Sequence, residues 1–171
     1  VVSRASEQLL ENLNSNSNPI LFEGLHSCFY IDHKALKHRR KIVRTHNIEH
    51  DYYQCLAKAE KDLFKRYYFS NESQKLKRFE RVLSFANGIA AISGHDAKHF
   101  TEKFHNVVAI SAFHPHGKVN ISAGKGTYAL YHGSLAVGEN NLAALYLVNN
   151  IFSKLSIPFI IAGNKPSTEL C

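Results

Sequence analysis

The sequence predicts an α/β protein with parallel sheets, made of two units that are each incomplete. Short apolar runs of strand length alternate with longer segments of helical periodicity along the 171 residues. The run Phe159-Ile160-Ile161 is apolar at consecutive positions, as expected of a parallel strand that is buried on both faces. Glycines recur over residues 117–127, which predicts a linker between the two units.

The first unit, residues 1–116, is predicted to hold four strands. Helical spacing of apolar residues predicts a first helix over Val2–Leu13, and a run of Asn and Ser that ends at Pro19 stops it. Short helical turns are expected over Ser27–Leu36. The predicted strands are Ile20–Phe22, Lys41–Thr45, Ile89–Ile92 and Val107–Ile110.

Residues 48–85 have a helical pattern, which we expect to be interrupted near Phe69–Glu72, so that either two helices or one long bent helix would fit. The aromatic side chains of this region, from Tyr52 to Phe69, are interpreted as core packing. Ser93 and Asp96 predict the N-terminus of another helix, because Ser and Asp accept hydrogen bonds from the first free backbone N–H groups.

The second unit, residues 128–171, reads as one strand–helix–strand crossover. Its predicted elements are a strand over Tyr128–Tyr131, an amphipathic helix over Glu139–Leu155 and a strand over Pro158–Ala162. Two strands are too few for a stable open sheet. The chain also lacks methionine and ends just after this strand. We therefore expect an internal fragment of a longer protein.

The net charge of +7 is concentrated in one region, where six of the eleven residues 34–44 are Lys or Arg. A solvated helix and loop before a buried strand accounts for this cluster. No DNA- or RNA-binding motif accompanies it, so nucleic acid is not an expected partner. The three cysteines, Cys28, Cys55 and Cys171, have no C-x-x-C spacing, which suits reduced thiols in a cytoplasmic protein.

The stretch with the most ionisable and polar side chains that could form a site is Lys41–Tyr53, which we interpret as a strand, a turn and a helix. His46, Asn47, Glu49 and His50 lie where the strand gives way to the helix, which in an open α/β sheet is the ligand-binding end. His46 to His50 matches H-x-x-E-H, a zinc peptidase signature. That motif must lie within a helix, yet a predicted strand precedes His46, so a zinc peptidase is a distant alternative.

Other candidate motifs are weaker. His95 and His99 form a second i, i+4 pair, for which a helix cap and an exposed face are the preferred interpretation. His114 and His116 flank Pro115 and are interpreted as linker residues. Gly124-Lys125-Gly126-Thr127 resembles the end of a phosphate-binding loop, but it precedes a strand instead of following one.

The order of motifs resembles family 4 glycosyltransferases of the GT-B type, particularly a bacterial group. Tyr128–Leu135, Glu139-Asn140 and Ile157–Gly163 are similar to the start of the C-terminal domain of that family. Pro19–His26, Arg44–Tyr53 and Ile89–Asp96 are similar to later strands of its N-terminal, acceptor-side domain. The resemblance implies two Rossmann-like domains with the transfer site in the cleft between them.

The resemblance also implies roles for particular residues. His46 would contact the donor sugar and the reacting centre, and the remaining cleft residues would be Glu23, His26, Asn47 and Glu49. Family members commonly carry Arg and Lys after the first C-domain strand, where this sequence has Ser134 and Glu139-Asn140. The residues expected to bind the donor are Gly133, Ser134, Asn164 and Lys165.

By this resemblance the protein would be a hexosyltransferase that moves a sugar from a nucleotide-sugar donor to a sugar, lipid-linked or protein acceptor. No cofactor and no metal would be needed, and a fragment of this extent would be inactive alone. The expected location is the cytoplasm, with peripheral membrane contact through the basic region of the first unit. The alternative from another class is a non-catalytic α/β binding domain, such as a degenerate transferase that keeps the fold.

Overall fold

The computed structural model of the chain describes residues 5–113, 115, 117–118 and 124–171. The start of the predicted first helix at Val2, the predicted linker histidines His114 and His116, and residues 119–123 lie outside this part of the chain. The chain divides into two compact units, Val1–Gln54 with Tyr68–His114 and Cys55–Tyr67 with Pro115–Cys171. The chain is α/β, and each unit contains a parallel sheet, as the sequence predicts.

The first unit is built around four parallel strands in the order β1-β2-β3-β4. All four lie within one residue of their predicted bounds, and β2 has the predicted bounds. Each pair of neighbouring parallel strands needs a crossover connection, and such crossovers are almost always right-handed. Because the strands follow one another in sequence order across the sheet, all their crossovers are expected on the same face of the sheet. The strands are β1 (Ile20–Glu23), β2 (Lys41–Thr45), β3 (Gly88–Ala91) and β4 (Val107–Ala109).

Helices and short 3₁₀ segments connect these strands. The helices are α1 (Glu7–Asn14), α2 (Glu49–Ala59), α3 (Leu63–Phe79) and α4 (Gly94–Thr101). The 3₁₀ segments are Leu25–Tyr30, Lys34–Leu36 and Glu80–Phe85. The predicted cap is confirmed, because Ser93 Oγ accepts a 3.1 Å hydrogen bond from Asp96 N at the start of α4.

The predicted interruption at Phe69–Glu72 is wrong, because α3 runs through it and the break lies between α2 and α3. Asp62 ends the break as a helix cap: its Oδ1 accepts a 2.9 Å hydrogen bond from Lys65 N. The Oε1 atom of Glu60 accepts from Asp62 N at 3.0 Å. Local side-chain bonds to free N–H groups therefore decide where α3 begins.

The core of the first unit lies against one face of the sheet. Ile20 and Phe22 of β1, Val43 of β2 and Ile89 and Ala91 of β3 point into it. The other face is only partly covered by the described residues, with Leu21 57% and Val108 53% exposed. The four-stranded sheet thus has one well-packed and one more open face.

The aromatic side chains at the start of α3 do not pack in the core, contrary to the prediction. Phe64 is 88%, Tyr67 73% and Tyr68 55% exposed. Tyr53 of α2, by contrast, packs against the buried core. These aromatic residues therefore share one face of α3, but that face is exposed.

The second unit contains β5 (Ala129–His132) and β6 (Phe159–Ala162), which pair in parallel. The predicted helix between them is α-helical only over α5 (Gly138–Tyr146), followed by a π turn (Leu147–Ile151) and a 3₁₀ turn (Phe152–Lys154). The Ser153 hydroxyl donates to Asn149 O at 2.8 Å, a bond of the kind that bends helices. The crossover is present, but its helix ends earlier than predicted.

Among the described residues, no helix combines the length and the apolar character that crossing a membrane requires.

Candidate functional site

The candidate site of the first unit lies at the carboxyl ends of β1 and β2. Glu23 is the last residue of β1 and His46 follows β2 directly. The Nε2 atom of His46 lies 2.8 Å from Oε2 of Glu23, and the two side chains are 44% and 48% exposed. Arg44 Nη1 is 3.6 Å from the same carboxylate oxygen. This edge of an open parallel sheet is the usual place for a ligand.

A tight turn at Gly24 fixes the position of this pair. Gly24 has a φ of 78°, which an L-amino acid rarely adopts. Its carbonyl oxygen accepts hydrogen bonds from Ser27 Oγ at 2.8 Å and from Cys28 Sγ at 3.6 Å. A Cβ placed on Gly24 would lie 3.9 Å from His46 Nδ1, so the turn passes beside the second ring nitrogen.

The pairing gives the His46 ring a defined orientation. When its Nε2 carries a proton and donates it to Glu23, the lone pair at Nδ1 is free to accept a hydrogen bond. When both ring nitrogens are protonated, the carboxylate balances the charge. Such a histidine can hydrogen-bond a hydroxyl or stabilise developing charge.

A second histidine–carboxylate pair lies in the same unit. Nε2 of His26 is 3.3 Å from Oε2 of Glu49, whose side chain is only 9% exposed. Glu49 opens α2, where the positive end of the helix dipole favours a carboxylate. Asn47 is exposed between the two pairs in sequence. Four of the five predicted cleft residues of this unit thus form two His–Glu pairs, and the fifth, Asn47, is exposed.

The members of the H-x-x-E-H motif do not share a site. His46 contacts Glu23, Glu49 contacts His26, and His50 contacts Glu80. The strand that precedes His46 separates it from the helix that carries the other two. These contacts give no support to the zinc peptidase alternative.

Two buried polar atoms at the end of β2 lack hydrogen-bond partners among the described residues. They are Arg44 Nε and Thr45 Oγ1. The Arg44 guanidinium also lies 5.6 Å from the centre of the Phe113 ring. Because buried polar groups in proteins are nearly always hydrogen-bonded, atoms of this kind point to strain, a catalytic role or a bound water or ion.

Burial sets the protonation of two groups close to this edge in sequence. It raises the pKa of the Cys28 thiol to about 12, with a small opposing effect of the Ser27 side chain. It also lowers the pKa of Lys41, which Asp32 partly counteracts. The Lys41 Nζ atom donates a 2.8 Å hydrogen bond to the carbonyl of Ile31. Lys41 is therefore a buried hydrogen-bond donor inside the unit and not a surface residue.

In the second unit, the four predicted donor-binding residues all follow the carboxyl ends of β5 and β6. Ser134 Oγ donates a 3.0 Å hydrogen bond to Asn164 Oδ1, which joins the two loops. Asn140 Nδ2 donates to the Ser134 carbonyl at 3.1 Å. Lys165 is exposed, with a left-handed φ of 51°. This edge therefore presents a hydroxyl, an amide and an ammonium group.

The two glycines of this edge, Gly133 and Gly163, differ in whether the fold leaves room for a side chain. A Cβ on Gly133 would meet only the side chain of Asn140, at 3.5 Å, and the hydroxyl of Tyr131, at 3.9 Å. A Cβ on Gly163 would collide with the carbonyl oxygen of Gly133 and lie 2.8 Å from Leu135 Cγ. Gly163 was not among the predicted site residues, although the step from an apolar strand to glycine was visible in the sequence.

Two open grooves lie elsewhere on the first unit, along the end of α3 and the 3₁₀ segment after it. One has a volume of about 600 Å³ and includes Lys75, Arg78 and Arg81 in its walls. The other has a volume of about 400 Å³ and reaches Glu80 and Lys103.

Neither the sequence nor the structure has a match: no protein-family model, no curated protein and no solved structure corresponds to this chain.

Proposed function

We propose that the chain contributes to both domains of a two-domain glycosyltransferase, with Rossmann-like sheets similar to those of family 4. The reaction would move a sugar from a nucleotide-sugar donor to an acceptor. The observation that carries this proposal is the half-exposed His46–Glu23 pair at the carboxyl edge of a parallel sheet.

Sugar transfer makes specific demands on such a pair. The bond between the anomeric carbon and the donor's phosphate oxygen breaks, and its electrons leave with the nucleoside diphosphate. A new bond forms to the acceptor oxygen, which loses its proton. Positive charge develops on the sugar ring as the leaving group departs. His46, oriented by the Glu23 carboxylate, is suited to hold a sugar hydroxyl and to stabilise this charge.

The second unit supplies groups that fit the rest of the donor. The hydroxyl of Ser134, the amide of Asn164 and the ammonium of Lys165 are exposed at one sheet edge. Gly133 has no packing reason to be glycine in the described chain, so a close approach by donor phosphates is a physical reason for it. By the same resemblance, the reaction needs no metal or cofactor.

The basic region 34–44 was the basis for expecting peripheral membrane contact, but half of its cations have internal partners. Arg39 bonds to backbone carbonyls, Lys41 to Ile31 and Arg44 to Glu23. Lys34, Lys37 and Arg40 are exposed. These three are the residues we propose for contact with an anionic membrane from the cytoplasmic side.

Donor binding by the natural full-length protein tests the proposed function. Uridine, guanosine and adenosine diphosphate sugars are titrated calorimetrically, and transfer is followed as release of the nucleoside diphosphate. We expect one nucleotide class to bind and to support transfer. A folded protein that binds none of them would instead favour the non-catalytic α/β binding domain.

A further inference from the structure

His50, Glu80 and His99 bring three segments of the first unit together. His50 lies in the first turn of α2, Glu80 opens the 3₁₀ segment that follows α3, and His99 belongs to α4. His50 and Glu80 are buried and His99 is partly buried. One ligand atom from each residue lies within 4.8 Å of the others. No sequence motif groups these three residues, because they are far apart along the chain.

The spacing of these atoms is that of metal ligands. His50 Nδ1 is 3.1 Å from Glu80 Oε2, and His99 Nε2 is 3.3 Å from both Glu80 oxygens. Four ligands at the usual bond lengths of zinc in a tetrahedron lie about 3.3 Å from one another. Two imidazoles and a carboxylate are also a common zinc ligand set.

The His50 ring is placed for metal binding more than for a hydrogen bond. Its Nδ1 atom is buried and close to Glu80, yet it makes no well-directed hydrogen bond with any described residue. Its other nitrogen lies 3.5 Å from Asp51 Oδ1. The Asp51 carboxylate favours a proton on the Nε2 atom of His50. The lone pair of Nδ1, which faces Glu80, is then left for a metal.

The backbone around His50 is held in place. Ser73 Oγ, which is buried in α3, donates a 2.7 Å hydrogen bond to the carbonyl of His50. This bond links α2 to α3 at the level of the cluster. A site whose ligands are fixed by surrounding contacts loses little freedom when a metal binds.

The cluster already holds a positive charge from the protein. Lys103 Nζ lies 2.8 Å from Glu80 Oε1 and 3.2 Å from His99 Nε2. An ammonium group is only a donor, so in the tautomer that bonds to Lys103 the Nε2 atom of His99 is the acceptor and offers a lone pair. The Lys103 side chain is 41% exposed, so it can turn outward and leave the other two groups in place.

An entry path reaches the cluster from solvent. The groove of about 400 Å³ is lined by Lys77, Glu80, Arg81, Ser84, Lys103 and Phe104. Of these residues, Glu80 is almost fully buried, whereas the Lys103 side chain is 41% exposed. An ion could reach the carboxylate through this groove without unfolding the unit.

We propose that His50, Glu80 and His99 form a binding site for a divalent transition cation of the zinc type, which replaces the ammonium group of Lys103. Zinc binding would tie α2, the end of α3 and α4 together and would leave a fourth coordination position facing the groove. This proposal does not rest on the proposed glycosyltransferase function and can fail independently of it.

Metal titration of the natural full-length protein tests the proposal. Metal-free protein is titrated with Zn²⁺ by calorimetry and with Co²⁺ by visible absorption, whose intensity reports tetrahedral coordination. We expect a single equivalent to bind. Lys103→Met should strengthen binding, since it removes the competing charge and keeps the side-chain length. His99→Ala should weaken binding by at least the roughly 10- to 100-fold that loss of an outer-shell partner costs.

His95→Ala is the matched control, because His95 is an exposed histidine one turn away on the same helix. It should leave zinc affinity unchanged. His50→Ala and Glu80→Gln change buried groups, so their folding is checked by circular dichroism. If either of these variants fails to fold, the zinc affinities of His99→Ala and Lys103→Met still test the proposal. If wild type, Lys103→Met and His99→Ala bind zinc equally well, the proposal is wrong. It is also wrong if neither the wild type nor Lys103→Met binds zinc.

Discussion

His46 and Glu23 come from the ends of neighbouring strands, and their side chains meet with Nε2 and Oε2 2.8 Å apart. The parallel pairing of β1 with β2 sets this distance, because Glu23 is in register with Arg44, two residues before His46. The pair is therefore a product of the sheet and not of a local motif.

The first prediction concerns this pair in the proposed transfer reaction. His46→Ala should lower kcat about 100-fold or more, as removal of a group that stabilises developing charge does. Glu23→Gln should have a smaller effect, because Glu23 acts through His46. Both should unfold at nearly the wild-type temperature, since both side chains are about half exposed.

A double-mutant cycle separates positioning from independent action. If Glu23 only positions His46, the double variant should be no slower than His46→Ala. His38→Ala, at an exposed histidine of the same unit, is the control and should not change kcat. Full turnover by His46→Ala would remove the residue from the reaction.

The second prediction concerns the close approach of Gly163 to Gly133. Gly163→Ala should destabilise the second unit by about 1–3 kcal/mol, because its Cβ meets a backbone oxygen that cannot move aside like a side chain. Gly133→Ala should cost much less stability, since it meets only ordinary contacts. Urea unfolding of the two variants makes the comparison, and equal stabilities would contradict this account of the edge.

The third prediction concerns Cys28. Its thiol is fully buried and its pKa is raised to about 12 by burial. A thiol reagent at neutral pH should label only the exposed Cys55 and Cys171 until the chain unfolds. Rapid labelling of Cys28 in the folded protein would show that its segment opens readily.

The same group makes stability depend on alkaline pH. The unfolded thiol loses its proton near pH 9, whereas the folded thiol keeps it to about pH 12. The unfolded state therefore binds fewer protons in this interval, and the free energy of unfolding should fall as pH rises through it. Cys28→Ala should show a shallower fall in denaturant titrations over the same pH range.

The fourth prediction concerns Arg39, whose guanidinium donates to the carbonyls of Leu13, Asn16 and Asn18. It holds the loop after α1 against the segment before β2. Arg39→Ala should destabilise the first unit by about 1–2 kcal/mol. Arg39→Lys should recover little, because an ammonium group cannot span several carbonyls as the planar fork does.

Protease sensitivity of the loop 15–18 and urea unfolding measure this effect. Arg40→Ala is the matched control, since Arg40 is the exposed neighbour. If Arg39→Lys restores full stability, a single charge is enough and the forked contact has no special role.

The strands could be predicted because their signal is local. A short apolar run flanked by polar residues predicts a strand without reference to the rest of the chain, so β2 has its predicted bounds and the others differ by a residue. The burial of a strand is not local in this way: Ile160 of β6, which the sequence predicts to be buried with both faces of its strand, is 45% exposed. The break between α2 and α3 was misplaced because the Ser and Asn residues near position 70 weigh more in a pattern than the single cap Asp62. Exposure of Phe64 depends on the tertiary structure, which helical spacing cannot report.

The charged groups show the limit of sequence more clearly. Lys41 belongs to the basic cluster that is expected to be solvated, but its side chain is buried and donates to the carbonyl of Ile31. Glu80 is buried beside His50, His99 and Lys103. The partners of Glu80 come from other segments of the chain, so no short window of sequence contains them together with Glu80. His46 was singled out correctly as a strand-end residue, whereas its partner Glu23 was only one of several cleft residues.

The order of the strands also has a kinetic consequence. β1 and β2 are joined by a short connection, as are β3 and β4, whereas the pairing of Ile42 with Gly88 closes the longest loop within the sheet. Because loop closure costs more entropy as the loop lengthens, the two halves should form first and dock along β2 and β3 last. Pulse-labelled hydrogen exchange during refolding should then protect β2–β3 amides late, and early protection there would reverse that order.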